Sequence, residues 1–88
     1  MNTKTVIVNC KYGLHARVAA QVVKAARHRE ASVSIHCQGC AKANACSLIE
    51  LLTLGAAQGV ELRIEADGAD ENEALRAVAE VFENGEGI

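Results

Sequence analysis

An α+β fold, a two-layer open-faced sandwich with a four-stranded, mostly antiparallel sheet and its helices on one face, is predicted by three features of these 88 residues. Two segments alternate strictly between apolar and polar residues, which marks strands with one wet face. Three other segments carry apolar residues at helical spacing. Half of the chain is hydrophobic, yet Tyr12 and Phe82 are its whole aromatic content. The core is therefore built from Ala, Val, Leu and Ile, which suits close packing of helices on a sheet. The length fits one domain spanning residues 1–88. A domain of this size buries roughly 60 to 65% of its unfolded surface, so neither disulfides nor metal are required.

The elements follow in the order β-α-β-β-α-β-α. Lys4 to Val8 is a β-branched run that stops at the polar stretch Asn9 to Gly13, a strand and then a loop. Ala16 to Arg27 is an amphipathic helix, with Ala16, Ala19, Ala20, Val23 and Ala26 on its apolar side and Gln21 and Lys24 opposite. Ser32 to Cys37 points Val33, Ile35 and Cys37 one way and Ser32, Ser34 and His36 the other. Gln38-Gly39 is read as a two-residue hairpin turn into a short strand at about Cys40 to Asn44. Ser47 caps a brief helix through Leu54, which Gly55 ends. Val60 to Asp67 turns Val60, Leu62, Ile64 and Ala66 inward. Asp70, followed three residues later by Glu73, has the form of a capping box. The last helix then carries Ala74, Leu75, Val78, Val81 and Phe82 on one face and ends near Asn84-Gly85.

Charge and hydropathy exclude several functions. A formal net charge of −2 provides no basic field for a phosphate backbone, so nucleic acid is not an expected partner. No apolar run reaches the ~18 residues of a membrane span, and the first nine residues lack the pattern of a signal peptide. Membrane insertion is not expected and the cytoplasm is the expected location. Four cysteines in such a compartment are expected as thiols. A hairpin placing Cys37 opposite Cys40 would turn both inward, so buried, inert thiols are favoured over a small cysteine-rich metal- or thiol-binding protein, which stays as an alternative. No metal or cofactor is expected. His28, between two arginines, fits a cation at a helix C-terminus.

One segment carries chemistry. In Gly13-Leu14-His15-Ala16-Arg17 a histidine stands where a loop becomes a helix. The unpaired N–H groups and positive dipole end of a helix start favour an anion and disfavour an imidazolium, so the ring is expected to tend toward its neutral, nucleophilic form. A phosphoryl group on that ring would meet those donors, and Arg17 would add a permanent charge suited to phosphate oxygens. The competing reading is a helix-capping His15 beside a solvated Arg17.

The stretch Gly13 to Ala20, GLHARVAA, resembles the active-site signature of the HPr family, the histidine-containing phosphocarriers of the bacterial phosphoenolpyruvate:sugar phosphotransferase system. The likeness continues through Asn44 to Ile49, Leu54-Gly55-Ala56 and Gln58-Gly59, and covers about Lys4 to Phe82. It implies a phosphocarrier, not an enzyme with turnover of its own. His15 would take a phosphoryl group on Nδ1 from phospho-enzyme I and pass it to enzyme II A domains for sugar uptake. Arg17 and the backbone N–H groups of Ala16 and Arg17 would steady the group. Ser47 matches the serine modified by HPr kinase/phosphorylase in many members. Ala20, Leu48, Ile49 and Leu52 are the expected docking residues of a monomer that also serves, in some members, a transcriptional regulator. A paralogue in a nitrogen or carbon-catabolite phosphorelay is the alternative output. Two positions depart from the family pattern: Val18 replaces a common Pro, and Glu50 stands where a small or basic residue is usual. An acid at position 50, inside the docking face, would alter partner choice.

Overall fold

The computed structural model describes residues 1–8, 16–37, 42–54 and 59–84. Their elements are β1 (Asn2–Ile7), α1 (Ala16–Arg27), β2 (Ser32–Cys37), β3 (Lys42–Asn44), α2 (Leu48–Leu54), β4 (Glu61–Asp67) and α3 (Glu71–Asn84). The strands form one sheet in the order β1-β4-β2-β3 with every neighbouring pair antiparallel. The expected α+β open-faced sandwich is what this chain forms. Its period-two strands decide which face is dry: Val33, Ile35, Leu62, Ile64 and Ala66 are buried together with Val6 and Ala43. Thr3, Thr5, Arg63, Glu65, Ser34 and His36 alternate with them and line the open face. On that face Glu65 lies 3.2 Å from His36 Nε2 and 3.3 Å from an Arg63 guanidinium nitrogen.

The helices close the dry face. In α3 the buried residues are Ala74, Leu75, Val78, Ala79 and Phe82, and the helix packs on β1, β4 and β2. Phe82, fully buried, is the bulkiest core side chain among the described residues. For α1 the limits are as expected, but the buried face is not. Val18, Ala19, Val22 and Ala26 point inward, while Ala16 and Ala20 are exposed and Val23 is half-buried. The two stripes differ by a rotation of less than one residue step. Packing against α3 and α2 selects the one with Val18 and Val22, because valine removes more apolar surface from water than alanine.

Strand ends also move. β1 starts at Asn2, two residues earlier than its apolar run, because Asn2 and Thr3 find ladder partners in Ala66 and Glu65. The hairpin is longer than read: His36 pairs with Lys42 and Ile35 with Ala43, leaving five residues between His36 and Lys42. A two-residue turn closing on Cys37 and Cys40 would leave four. Cys37 is therefore not set opposite Cys40 by this ladder; Cys10, Cys40, the Gln38-Gly39 turn and Gly55 lie outside the described residues. Of the two described thiols, Cys37 packs against the core on the side expected of it, and Cys46 is not a core residue. Cys37 is half-buried, Cys46 is exposed, and neither is in a disulfide.

The capping box at α3 is rebuilt by long-range contacts. Asp70 does stand before the helix, and its carbonyl accepts the Ala74 N–H at 2.9 Å. Its carboxylate, however, accepts the Glu30 and Ala31 N–H groups at 3.1 and 2.8 Å, in the connection between α1 and β2. Glu73 meets Arg29 at 3.1 Å, and Glu71 accepts the Gly68 N–H instead. Gly68 is required there. Its φ is +153°, and a Cβ would stand 2.6 Å from the Ala31 Cα.

Candidate functional site

Described residues stand on both sides of the stretch 9–15, which contains Gly13, Leu14 and His15. Val8 is buried, donates its N–H to the Val60 carbonyl and accepts the Gly59 N–H, both at 2.9 Å. Gly59 makes this turn with φ at +90°. Across the gap, Ala16 is the first residue of α1, followed by the buried pair Val18 and Ala19. His15 lies outside the described residues, so its immediate neighbour Ala16 fixes its place in the chain: one residue before a helix start. The amides of Ala16 and Arg17 belong to the first turn, where N–H groups have no carbonyl four residues back within the helix. Ala16 and Arg17 are both exposed. α1 contains no acidic residue, so nothing in the helix itself offsets Arg17 or the positive end of its dipole. A helix start of this charge favours an anion over a cation.

The second motif is local and compact. Ser47 is the residue before α2; its Oγ accepts the Glu50 N–H at 3.3 Å and its carbonyl accepts the Leu51 N–H at 3.1 Å. The expected N-cap is present. Of the helix's leucines, Leu51 is fully buried and Leu54 packs against the core. Leu48, Ile49 and Leu52 remain 41%, 77% and 40% exposed. A two-turn helix lying on a core hides one face only, so its other apolar residues are left in water. α2 packs against α1. Ala20, exposed on α1, thus belongs to an element adjoining this apolar cluster.

Three residues at these sites were not legible as such. Asn44 organises the β3–α2 turn: its Oδ1 accepts the Cys46 N–H at 2.8 Å and its carbonyl accepts the Ser47 N–H at 2.9 Å. An Asn three residues before the capping serine is the available signal. Glu50 is not presented with the apolar cluster. Its carboxylate turns back to accept the Asn44 N–H at 3.0 Å. Val18, noted as a departure from Pro, is a core residue at 1% exposure. At the far end of α1, His28 is exposed and its Nδ1 lies 2.7 Å from the Lys24 carbonyl oxygen. Among the described residues no three His, Cys, Asp or Glu side chains are placed to hold a metal ion, and no helix is long and apolar enough to cross a membrane.

The sheet order, the helix that starts beyond the Gly-Leu-His run and the capped serine before an exposed apolar turn converge with the family comparison. A model described as the PTS HPr component phosphorylation site matches residues 2–84. The chain belongs to the PTS HPr family. It is 37% identical over 78 residues to a phosphocarrier protein HPr of Xylella fastidiosa (strain 9a5c), covering 89% of this chain and 86% of that one. It is also 37% identical over 82 residues to the phosphocarrier protein NPr of Escherichia coli (strain K12), covering 93% and 91% of the two chains. Among solved structures, HPr-C-His from Thermoanaerobacter tengcongensis superposes with a TM-score of 0.89 at 33% identity, over 96% of this chain and 93% of that one. Membership in the HPr family carries the general role of a phosphotransferase-system phosphocarrier.

Proposed function

We propose that this protein relays a phosphoryl group through His15. The Nδ1 atom of His15 forms a bond to phosphorus as the bond to the phosphorylated donor, enzyme I, breaks; in the next step that bond yields to a nucleophile on an enzyme II A domain. The Ala16 and Arg17 amides and the Arg17 guanidinium hold the phosphoryl oxygens. Ala20, Leu48, Ile49 and Leu52 dock the donor and the acceptors in turn, which a monomer with one exposed face allows. No cofactor takes part, the protein has no turnover of its own, and it works in the cytoplasm. Ser47 is a second, regulatory phosphorylation site for a kinase/phosphorylase of the HPr type, and through it a transcriptional regulator is a further partner. The observation that carries the reading is the family match across residues 2–84, with a histidine immediately before the start of α1.

Incubation with phosphoenolpyruvate and enzyme I tests it. The wild-type protein is expected to gain one acid-labile, alkali-stable phosphate and the His15→Ala variant none. A phosphate that survives in His15→Ala, or its absence from both, removes the proposal. A second output is favoured by a specific observation: identity to an NPr is as high as identity to an HPr, 37% in each case. A nitrogen- or catabolite-linked phosphorelay is then the alternative to sugar uptake. Offering the phosphorylated protein to sugar-type and nitrogen-type enzyme II A domains, and comparing transfer rates, separates the two.

A further inference from the structure

The turn between β3 and α2 is a closed ring of hydrogen bonds with a carboxylate in it. Asn44 accepts the Cys46 and Ser47 N–H groups, Ser47 Oγ accepts the Glu50 N–H, and the Glu50 carboxylate accepts the Asn44 N–H. Glu50 is three residues from Ser47, a spacing at which side chains on a helix are neighbours. Ser47 is half-buried at the head of this ring. The nearby concavity offers no excess of cations: Arg29 and Lys42 line it together with Glu30 and Glu50, and Arg29 is already paired with Glu73.

We propose that Glu50 opposes phosphorylation of Ser47, its carboxylate and a phosphoryl group on Ser47 Oγ competing for one turn. The inference rests on Ser47 being a regulatory phosphorylation site. In the modification, Ser47 Oγ bonds to the γ-phosphorus of ATP as the bond to ADP breaks, and the hydroxyl proton leaves to a base of the kinase. The product carries roughly 1.5 to 2 negative charges at neutral pH. It replaces a neutral hydroxyl that accepts the Glu50 N–H, so the new charge is tied beside an existing one. The phosphorylated turn must release Glu50 from the Asn44 N–H or bear the repulsion. Either way the modified state is less favourable than it would be with a neutral residue at position 50.

The test separates charge from hydrogen bonding because Glu50→Gln keeps an oxygen that can accept the Asn44 N–H. Urea unfolding of wild type, Ser47→Asp, Glu50→Gln and the double variant forms a cycle independent of any kinase. Ser47→Asp is expected to lower the folding equilibrium constant about twofold more in the wild-type background than in the Glu50→Gln background, as like-charge neighbours on a helix do. The difference should shrink in about 1 M salt, where exposed charges are screened within ~3 Å. Additive effects at low salt overturn the proposal. With an HPr-type kinase and ATP, mass spectrometry should show Glu50→Gln modified at Ser47 about fivefold faster, since a dianion meets more repulsion than Asp. Equal modification of both proteins overturns the proposal and leaves the regulatory reading standing. No modification of either overturns the regulatory reading and the proposal with it.

Discussion

Asp70 is one side chain that ties two distant parts of the chain together. Its carboxylate receives the N–H groups of Glu30 and Ala31, some forty residues away, where Gly68 lets the backbones approach within a distance no side chain would permit. Hydrogen bonding from the Glu30 amide, then from Ala31, with the nearby Arg29 charge, holds the Asp70 carboxyl below its ordinary value against the smaller opposing effect of burial. A carboxyl whose folded value is depressed binds its proton more readily when unfolded. The stability it contributes is therefore present above the ordinary carboxylate value of about 4 and is lost as the pH falls further. Asp70→Asn should lower stability at neutral pH and flatten the acid limb of a stability-against-pH curve measured by denaturant unfolding. An unchanged acid limb would show that other carboxylates govern it. Sequence reading located Asp70 at a helix start but assigned its carboxylate to the wrong donors, because a capping box is a local pattern and these amides lie in another connection.

In α2 the sequence already divides the leucines between two tasks. Leu51 is fully buried and Ile49 is 77% exposed, although both are large and aliphatic. Leu51→Ala should cost about 2–5 kcal/mol of stability, the range for emptying a packed leucine site. Ile49→Ala should cost less than about 0.5 kcal/mol, as exposed substitutions usually do. The effects on phosphoryl transfer should run the other way if Ile49 docks partners: the initial rate from enzyme I at limiting carrier falls for Ile49→Ala, while Leu51→Ala retains it at temperatures where it stays folded. Thermal or urea unfolding combined with that rate measurement checks both halves. For α1 the periodicity fixed the helix limits and left its rotation open by less than one residue step. Alanines at 16, 19, 20, 25 and 26 fit on either side of such a boundary, so only tertiary packing, against α3 and α2, resolves it.

The four strands are unequal in their surroundings. β4 is paired on both sides over most of its length, to β1 and to β2, whereas β3 is a three-residue edge strand joined to β2 alone. Amide exchange at equilibrium should accordingly be slowest in β4 around Leu62 and Ile64, and fastest among the ladder amides in β3. Comparable protection in β3 and β4 would argue that the sheet opens as one unit. This gradient places the Ser47 turn next to β3, the shorter of the two edge strands, while Val8, just past the end of the other edge strand β1, leads toward His15 from a strand paired with β4 over its whole length.

Strand alternation, helix spacing, the Ser47 cap and the Gly-Leu-His-Ala-Arg run are near-neighbour patterns, and they were enough for the element order, the antiparallel sheet with one wet face, the family and the candidate phosphoacceptor. Spacing within a single element is set by covalent geometry, which a sequence carries in full. Which valines of α1 enter the core, how long the β2–β3 connection is, where the Asp70 and Glu50 carboxylates go and whether Cys46 is buried all depended on folding. Each is a contact between residues whose separation in the chain says nothing of their distance in space, and the sheet register and the packing of helices on it supply that distance.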